Sequence, residues 1–308
     1  MKDISIIIVS YNVREYIIYC IDSIYKHCKG DYTFEIIVID NQSTDKTVDV
    51  LNVKYPELQI ISNKENYGFS KAANQASKVS RSKYLFILNP DTLLIEDSIL
   101  KLKEFMESNS KIGMVGPLII NENGLRQQSI WKNPTLINTL LSICHLDFLN
   151  FKKKYKILKY DKMKIVDTIS GCALFLRGEV FKKVNGFNDN LFWMEDIDLC
   201  QKLKKRNWNV AYFPKTKLIH YGGRSAKKNY KVAISNQLIS KIKYFKIYHS
   251  NISAFIISVT VINVSLLKAF FLIFLFPFSV DFRNKFFGYV FTAKEVLIKH
   301  LFDYKRFV

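Results

Sequence analysis

Apolar, β-branched runs alternate with amphipathic segments over the first third of the chain. Continuous apolar runs at 4–9, 36–39 and 84–88 are typical of strands buried on both faces of a parallel sheet. A shorter apolar run at 58–61 predicts one more strand. Helical periodicity occurs between and after these runs, at 14–27, 45–53, 70–79 and 96–106. The alternation predicts a doubly wound α/β sheet through Gly116.

The pattern after Gly116 is mixed. The sequence Asn-Glu-Asn-Gly at 121–124 predicts a turn between short strands. Residues 133–161 have no clear period, and we expect a partly helical excursion there. The other elements predicted are strands at 166–169, 172–176, 210–213 and 217–220, the last two as a pair around Pro214, a helix that begins near 195 and an amphipathic helix at 235–249.

Residues 252–278 form a long apolar segment. A helix of about 25 residues is about 37 Å long, enough to cross a hydrocarbon core of about 30 Å. Lys268 near its middle weakens a spanning interpretation, because a central lysine costs about 3 kcal/mol on insertion scales. We expect a re-entrant or interfacial hairpin or a single span, and the alternative is a hairpin buried in a soluble protein. A basic, aromatic helix pattern follows at 288–308.

The formal net charge of +19 over 308 residues calls for an anionic partner. Nucleic acid, anionic lipid headgroups and nucleotide phosphates are the candidates. The cations cluster mostly in the second half, around the apolar segment, which favours membrane lipid and predicts no nucleic-acid partner. A non-catalytic, basic, nucleic-acid-binding α/β protein is the alternative from another functional class.

The cysteines and the start of the chain indicate a cytoplasmic catalytic portion. The five cysteines are odd in number and include no Cys-x-x-Cys pair, which argues against a disulfide framework or a zinc site. The apolar run at 4–9 is too short for a signal peptide and lacks a small-residue cleavage site.

Polar residues follow the predicted strands, at the edge where α/β sheets bind ligands. Asp40 follows the strand at 36–39, and its carboxylate could accept the ring N–H of uracil or thymine or cap the next helix. Asn89 and Asp91 follow the strand at 84–88, and Asp91 offers an oxygen ligand for Mg²⁺ or Mn²⁺ beside a diphosphate. Asn-Pro-Asp is equally good turn chemistry.

Two further groups suit a phosphate or a metal–diphosphate complex. Gly68, two residues after Asn66, opens a predicted helix, and helix N-termini bind phosphate. His220 follows a predicted strand and precedes two glycines and Arg224, so it could complete a metal site. The alternatives are an ordinary turn glycine and an ordinary surface histidine.

Glu195 and Asp196 stand where a predicted helix begins. Unpaired N–H groups at a helix N-terminus stabilise anions, so an ionised general base could be held there. Asp198, further along the helix, is interpreted as structural. The alternative is that all three acidic residues only favour the helix start.

The order and spacing of these motifs resemble glycosyltransferase family 2 from residue 4 to about residue 225. The motifs are Val9-Ser10-Tyr11-Asn12, Val38-Ile39-Asp40-Asn41, Asn66-Tyr67-Gly68-Phe69, Leu88-Asn89-Pro90-Asp91, Gly186-Phe187-Asn188, Glu195-Asp196-Ile197-Asp198-Leu199 and His220. The Asn-Pro-Asp, Glu-Asp-Ile-Asp-Leu-Cys and His-Tyr-Gly-Gly sequences look most like bacterial rhamnosyltransferases of cell-surface polysaccharide synthesis.

The resemblance implies a GT-A fold, that is, a doubly wound mixed sheet with a Rossmann-like nucleotide-binding half. The GT-A domain would cover 1–228, with a nucleotide-sugar-binding half at 1–116 and an acceptor and catalytic half at 117–228. Residues 229–308 would form the C-terminal hydrophobic, membrane-associated helical region.

The resemblance also implies roles for individual residues. Asp196 matches the catalytic base, Glu195 is its neighbour, and Asp91 and His220 match metal ligands. The residues implied in donor binding are Tyr11, Asp40, Asn66, Gly68, Asn89, Asp91 and Arg224. Asn89 replaces the first aspartate of the family's Asp-x-Asp motif, which removes one charge from the metal site.

The function expected is inverting transfer of a sugar, L-rhamnose from dTDP-rhamnose, to a polyprenyl-diphosphate-linked saccharide at the cytoplasmic face of the inner membrane. The alternative donor is a UDP-hexose or a UDP-N-acetylhexosamine, and the expected cofactor is Mg²⁺ or Mn²⁺. A Rossmann oxidoreductase would need Gly-x-Gly-x-x-Gly after the first strand, and residues 10–14 lack it.

Overall fold

The structure is a computed structural model that describes residues 2–146, 148, 161–222 and 230–302. The chain forms two compact units. The first comprises 1–133, 154–189 and 195–225, and the second comprises 134–153, 190–194 and 226–308. The domain boundaries at 116/117 and 228/229 stay predictions.

The first unit contains a mixed β-sheet. Its strands are β1 Ile4–Ser10, β2 Phe34–Asp40, β3 Gln59–Ser62, β4 Tyr84–Leu88, β5 Thr92–Leu94, β6 Ile112–Ile120, β8 Lys164–Ile165, β10 Ala173–Arg177 and β11 Asn209–His220. Their order is β3-β2-β1-β4-β10-β6-β11-β5, and β8 pairs with β11. A separate small sheet pairs β7 Ile130–Trp131 with β9 Thr168–Ile169.

Helices cover the sheet on both faces. In this unit they are α1 Arg14–His27, α2 Thr47–Lys54, α3 Gly68–Val79, α4 Ser98–Ser108, α6 Gly178–Lys183 and α7 Glu195–Lys205. One buried cluster includes Ile17 of α1 and Leu102 of α4, and another includes Ala73 of α3 and Leu199 of α7. These two clusters explain why the central strands are apolar on both faces.

The parallel strands bring polar residues together at one edge. β1 pairs with β2 and with β4 in parallel, and Ser10 lies beside Asp40 in the β1–β2 register. β10 inserts antiparallel between β4 and β6, so the sheet is mixed, as the predicted fold class requires. The ends of β1, β2 and β4 therefore form one ligand-facing edge.

Some predicted elements were wrong in detail. The expected strand pair around Pro214 is one strand, β11, which runs parallel to β6 with a register shift between Phe213 and Lys217. Proline lacks an N–H to donate, so the irregularity falls where a ladder bond is lost. Of the segment predicted as a strand at 166–169, only β9 Thr168–Ile169 is a strand, and the short strand β8 Lys164–Ile165 precedes it. β6 runs unbroken across Gly116.

The second unit is helical. Its described helices are α5 Leu136–Ile143, α8 Tyr230–Tyr248, α9 Asn251–Leu275 and α10 Val280–Val296, followed by a π-helical segment at Leu297–Phe302. Ser250 caps α9 by accepting a hydrogen bond from the Ser253 N–H. In the described part of the chain, α9 alone is long and apolar enough to cross a membrane, judged by length and composition. It is compatible with peripheral membrane association.

Candidate active site

Asp40 ends β2 and is 2% exposed. Its Oδ2 accepts a hydrogen bond of 2.8 Å from the Ser43 N–H, while its Oδ1 has no partner among the described residues. The hydroxyl of Ser10 beside it is also buried without a described partner. A buried carboxylate oxygen that lacks a donor is costly, so this position suits a ligand N–H.

The loops after β1 and β2 are tied to each other. The Asn12 N–H donates to Ser43 Oγ at 2.9 Å, and Asn12 Oδ1 accepts from the Thr44 N–H at 2.8 Å. Ser43 and Thr44 are thus used between the two loops, and neither caps α2. Asp45 instead accepts from the Thr47 N–H at the start of α2, so Asp40 is not needed as a cap.

Asn66 and Gly68 form the turn into α3. Gly68 has φ +78°, which glycine adopts readily, and its N–H donates to Asn66 Oδ1 at 2.9 Å. The Gly68 carbonyl accepts from Asn41 at 3.2 Å, and Asn41 in turn accepts from Asn63. The Gly68 N–H is thus occupied within the protein, and any phosphate contact would use the N–H groups that follow it.

Asp91 and His220 lie side by side although 129 positions separate them in the sequence. His220 Nε2 is 3.3 Å from Asp91 Oδ1, and the Asp91 side chain is 4% exposed. Gln127 fixes the histidine from the other side: its Nε2 donates to the His220 carbonyl at 2.6 Å, and its Oε1 lies 3.1 Å from His220 Nδ1. An amide oxygen only accepts, so Nδ1 carries the proton in this bond, and Nε2, on the side of Asp91, is the ring nitrogen that could bind a metal.

This pair fits a divalent cation. Two neighbouring ligands on an octahedral ion with bonds of about 2.1 Å lie about 3 Å apart, close to the separation seen. Metal-bound histidines commonly donate the other ring N–H to an oxygen, as His220 does to Gln127. Within the described residues no group of three or more acidic, histidine or cysteine side chains could hold an ion. Oxygens of a bound diphosphate or of water could supply the remaining ligands.

Asp196 is the second residue of α7 and is half-buried. Its Oδ2 accepts from the Gly171 N–H at 3.1 Å, and its Oδ1 accepts from the Ile197 N–H at 2.8 Å. Burial raises the pKa of this carboxyl to about 6, against the lowering effect of the two N–H donors. Such a group changes charge near neutral pH, which suits a general base.

The surroundings of the other two acidic residues differ. Glu195 is the half-buried first residue of α7. Asp198 is fully buried and lies 3.0 Å from Lys202 in an ion pair, which supports the structural interpretation.

Gly171 and Cys172 contact both the loop after β4 and Asp196. The Cys172 carbonyl accepts from the Asn89 N–H at 2.9 Å, and its neighbour Gly171 donates to Asp196. The pKa of the Cys172 thiol is raised to about 12, chiefly by burial and also by the negative charges of Asp91 and Asp196. Both carboxylates are therefore close enough to influence the same thiol, and the structure brings Asn89, Asp91, His220 and Asp196 into one neighbourhood.

Asn74 of α3 holds the loop that precedes α7. Its Oδ1 accepts from the Phe187 N–H at 2.9 Å, and its Nδ2 donates to the Phe187 carbonyl at 3.0 Å and to Asp189 at 2.8 Å. A Cβ on Gly186 would lie 2.3 Å from Asn74 Oδ1, so this contact requires glycine there.

Two other residues, Tyr11 and Arg224, were predicted to bind the donor. Tyr11 follows β1 and is 37% exposed, at the same edge as Asp40. Arg224 lies outside the described residues. Sequence reasoning missed Gln127, because its partner His220 is 93 positions away and no motif surrounds it.

Comparison with known proteins decides the family. The sequence profile of "Glycosyl transferase family 2" matches residues 5–183, more than half of the chain. The chain belongs to glycosyltransferase family 2. A second profile, "N-terminal domain of galactosyltransferase", matches residues 154–224.

Several curated members of family 2 are similar to this chain. Rhamnosyltransferase WbbL of Escherichia coli K12 is 28% identical over 250 residues, covering 78% of this chain and 91% of the relative. N-acetylglucosaminyl-diphospho-decaprenol L-rhamnosyltransferase of Mycobacterium tuberculosis is 25% identical over 206 residues, covering 62% and 67%. Poly(ribitol-phosphate) beta-glucosyltransferase of Bacillus spizizenii is 30% identical over 119 residues, covering 37% and 19%.

Membership of family 2 confirms the resemblance, the GT-A type mixed sheet and the enzyme class, an inverting glycosyltransferase. Family 2 enzymes generally use divalent metal ions. They take nucleotide-sugar donors, and the relatives named above include one whose name specifies a lipid-linked substrate. The roles of the individual site residues stay predictions.

Proposed function

We propose that this glycosyltransferase moves L-rhamnose from dTDP-rhamnose to a saccharide carried on polyprenyl diphosphate, at the cytoplasmic face of the plasma membrane. The catalytic part of this proposal rests on the environment of Asp196. Its half-buried carboxyl has a pKa raised to about 6 and shares a neighbourhood with the Asp91–His220 pair. A base and a diphosphate-binding group are the two parts that a single displacement needs.

In this mechanism Asp196 acts as the general base. The acceptor hydroxyl attacks the anomeric carbon from the face opposite the nucleotide diphosphate, and its proton passes to an oxygen of Asp196. The bond from the anomeric carbon to the diphosphate oxygen breaks, and the configuration inverts. The Gly171 N–H holds Oδ2 at 3.1 Å and so orients the carboxylate.

The other residues bind the donor. Asp40 Oδ1, which is buried without a described partner, would accept the ring N–H of thymine or uracil. Asp91 and His220 would hold Mg²⁺ or Mn²⁺, which when bound neutralises charge that develops on the leaving diphosphate. Gln127 keeps His220 in the tautomer that can serve as a ligand.

The choice of rhamnose rests on the relatives. Two similar proteins, from Escherichia coli and Mycobacterium tuberculosis, are named rhamnosyltransferases, and the second name specifies a diphospho-decaprenol acceptor. A UDP-hexose or UDP-N-acetylhexosamine donor is the second candidate. The similarity to a glucosyltransferase over 119 residues and to a galactosyltransferase domain over 154–224 favours it.

A donor panel tests the proposal. The purified full chain is incubated with Mg²⁺ or Mn²⁺, a synthetic polyprenyl-diphosphate N-acetylglucosamine and either dTDP-rhamnose, UDP-glucose or UDP-N-acetylglucosamine. We expect a rhamnosylated lipid product whose anomeric configuration is opposite to that of the donor. Transfer from a UDP-sugar alone would overturn the rhamnose assignment, and retention of configuration would overturn the mechanism.

A further inference from the structure

The helix α9 has two faces of opposite character. Its exposed face carries bulky apolar side chains: Ile252, Phe255, Ile256, Val259, Leu266, Leu267, Phe270, Phe271 and Phe274. Its buried face carries mostly small or hydroxylated side chains: Ala254, Ile257, Ser258, Val261, Ser265 and Ala269. The exposed polar residues of α9 are Asn251, at its first position, and Asn263.

This distribution is the reverse of a helix in a water-soluble protein. There, bulky apolar residues face the core and small polar ones face water. In α9 the buried face packs on α5, α8 and α10, and α10 contributes Gly288, Thr292 and Ala293 to the buried residues. Small residues between helices and bulky apolar residues outside are typical of helices in contact with hydrocarbon.

Lys268 does not interrupt the apolar face. It is half-buried and contacts His145, and its Nζ lies 3.4 Å from the Tyr289 hydroxyl. The side chain thus points into the helical unit, where it contacts Tyr289 of α10. The sequence argument that Lys268 weakens a membrane-spanning interpretation therefore does not count against lipid contact of the exposed face.

Basic residues outnumber acidic residues in the segment that contains this apolar face. Residues 230–302 contain two carboxylates, Asp281 and Glu295, against the cations Lys231, Lys241, Lys243, Lys246, Lys268, Arg283, Lys285, Lys294 and Lys299. The exposed part of α10 mixes Phe287, Val290 and Phe291 with Arg283 and Lys294. Apolar and cationic side chains on one helix face are typical of helices that lie in the headgroup region of anionic membranes.

We propose that α9 lies in the plane of an anionic bilayer and inserts its exposed face into one leaflet without crossing it. Only one face of α9 is free for lipid, because the other is covered by α5, α8 and α10. Both ends of α9 then remain on the same side of the membrane. The inference deepens the proposed membrane localisation and is independent of which sugar the enzyme transfers.

Vesicle flotation tests the surface. The full chain is mixed with vesicles of phosphatidylglycerol and phosphatidylethanolamine, or of phosphatidylcholine alone. Leu266 and Phe270 are 53% and 55% exposed, so the double variant L266E/F270E should fold. We expect it to lose about tenfold or more in vesicle partitioning, because charged residues are expensive in hydrocarbon. The control V53E places glutamate at a position in α2 that is 85% exposed and should bind vesicles like the parent.

Three outcomes would overturn the proposal. One is unchanged flotation of L266E/F270E, and another is equal binding of the parent to anionic and phosphatidylcholine vesicles. The third is a parent dimer in detergent-free solution that L266E/F270E dissociates, with no vesicle binding by either protein. That result would assign the face to a second copy of the chain. Donor turnover, measured in parallel, separates failure of this proposal from failure of the proposed function.

Cysteine labelling tests the orientation of α9. Cys144 is the exposed cysteine and the other four are buried, so C144S provides the background. N251C places an exposed thiol at the first residue of α9, and N284C places one in α10, after the end of α9. A membrane-impermeant maleimide should label both thiols in inverted vesicles and neither in intact spheroplasts. Labelling of the two thiols from opposite sides would mean that α9 spans the membrane, and would overturn the proposal.

Discussion

Two carboxylates of α7 are only two positions apart, yet their surroundings assign them different tasks. Asp198 is fully buried and paired with Lys202, whereas Asp196 is held by backbone N–H groups from Gly171 and Ile197. A paired, buried carboxylate contributes to stability, while a half-buried one with a raised pKa is available for proton transfer.

The variants D196N and D198N should therefore fail in different ways. D196N removes the base, so we expect kcat to fall about 10²–10⁴-fold while nucleotide binding is retained. Its Tm at pH 8 should change little, because removal of a buried charge offsets the loss of one of the two oxygens that accept N–H bonds. D198N should keep most of its kcat and lose about 1–3 kcal/mol of stability, because Lys202 loses its partner. Near-normal turnover by D196N would refute the assignment of the base.

The raised pKa of Asp196 also predicts a pH dependence. The base must be ionised, and its proton is retained up to a pH of about 6. We expect kcat to rise about tenfold per pH unit below that value and to level off above it. The measurement is kcat at saturating donor from pH 5 to pH 8. A plateau that already extends below pH 5 would mean that another group is the base.

Gln127 is expected to act as a positioning residue for His220. Q127A removes both contacts with the histidine, so the metal concentration for half-maximal activity should rise about tenfold, with kcat at saturating metal little changed. The matched control is Q128A, one position along the chain. Equal effects of the two variants, or an effect of Q127A on stability alone, would contradict this role.

At the scale of elements, Asn74 links α3 to the loop that leads to α7. N74D keeps the acceptor for the Phe187 N–H but loses the donor to Phe187 and Asp189, and it brings two carboxylates together. We expect a lower kcat with little change in donor KM. D189N restores a donor towards residue 74, so N74D/D189N should recover part of the loss. A double variant no better than N74D would show that the Asn74–Asp189 contact is unimportant.

The sequence predicted elements where local pattern decides the structure. Residues 4–9, 36–39 and 84–88 are apolar throughout because both faces of their strands are covered, and that is visible without the fold. β11 was divided in the prediction because Pro214 is a strand breaker locally. Pairing with β6, which is distant in sequence, carries the strand through it.

In the candidate site, too, some residues have a local sequence signal and others do not. Asp40, Asp91 and Asp196 were identified because each follows a strand or opens a helix in a family motif. Gln127 and His220 are 93 positions apart in the sequence, and Asn74 is 113 positions from Phe187, whose backbone it contacts. Such contacts come from tertiary packing and leave no local signal.

At the scale of the whole molecule, donor binding should stabilise the native state through linkage. Nucleotide at about 100 times its Kd adds about 2.7 kcal/mol. We expect dTDP with Mg²⁺ or Mn²⁺ to raise Tm more than dTDP alone, and D91A to remove the part that depends on the metal. Thermal unfolding of the full chain provides the measurement. If Mg²⁺ or Mn²⁺ raised the Tm of D91A with dTDP as much as it raises that of the parent, Asp91 would be excluded as a metal ligand.

The surroundings of Cys172 have a consequence for redox chemistry. Oxidants and alkylating reagents attack the thiolate, and a thiol whose pKa is raised to about 12 provides almost none at neutral pH. The two carboxylates that help to suppress the thiolate are the proposed metal ligand Asp91 and the proposed base Asp196. A site that carries them therefore protects its own cysteine from peroxide, and transfer should proceed equally well with and without a reducing agent.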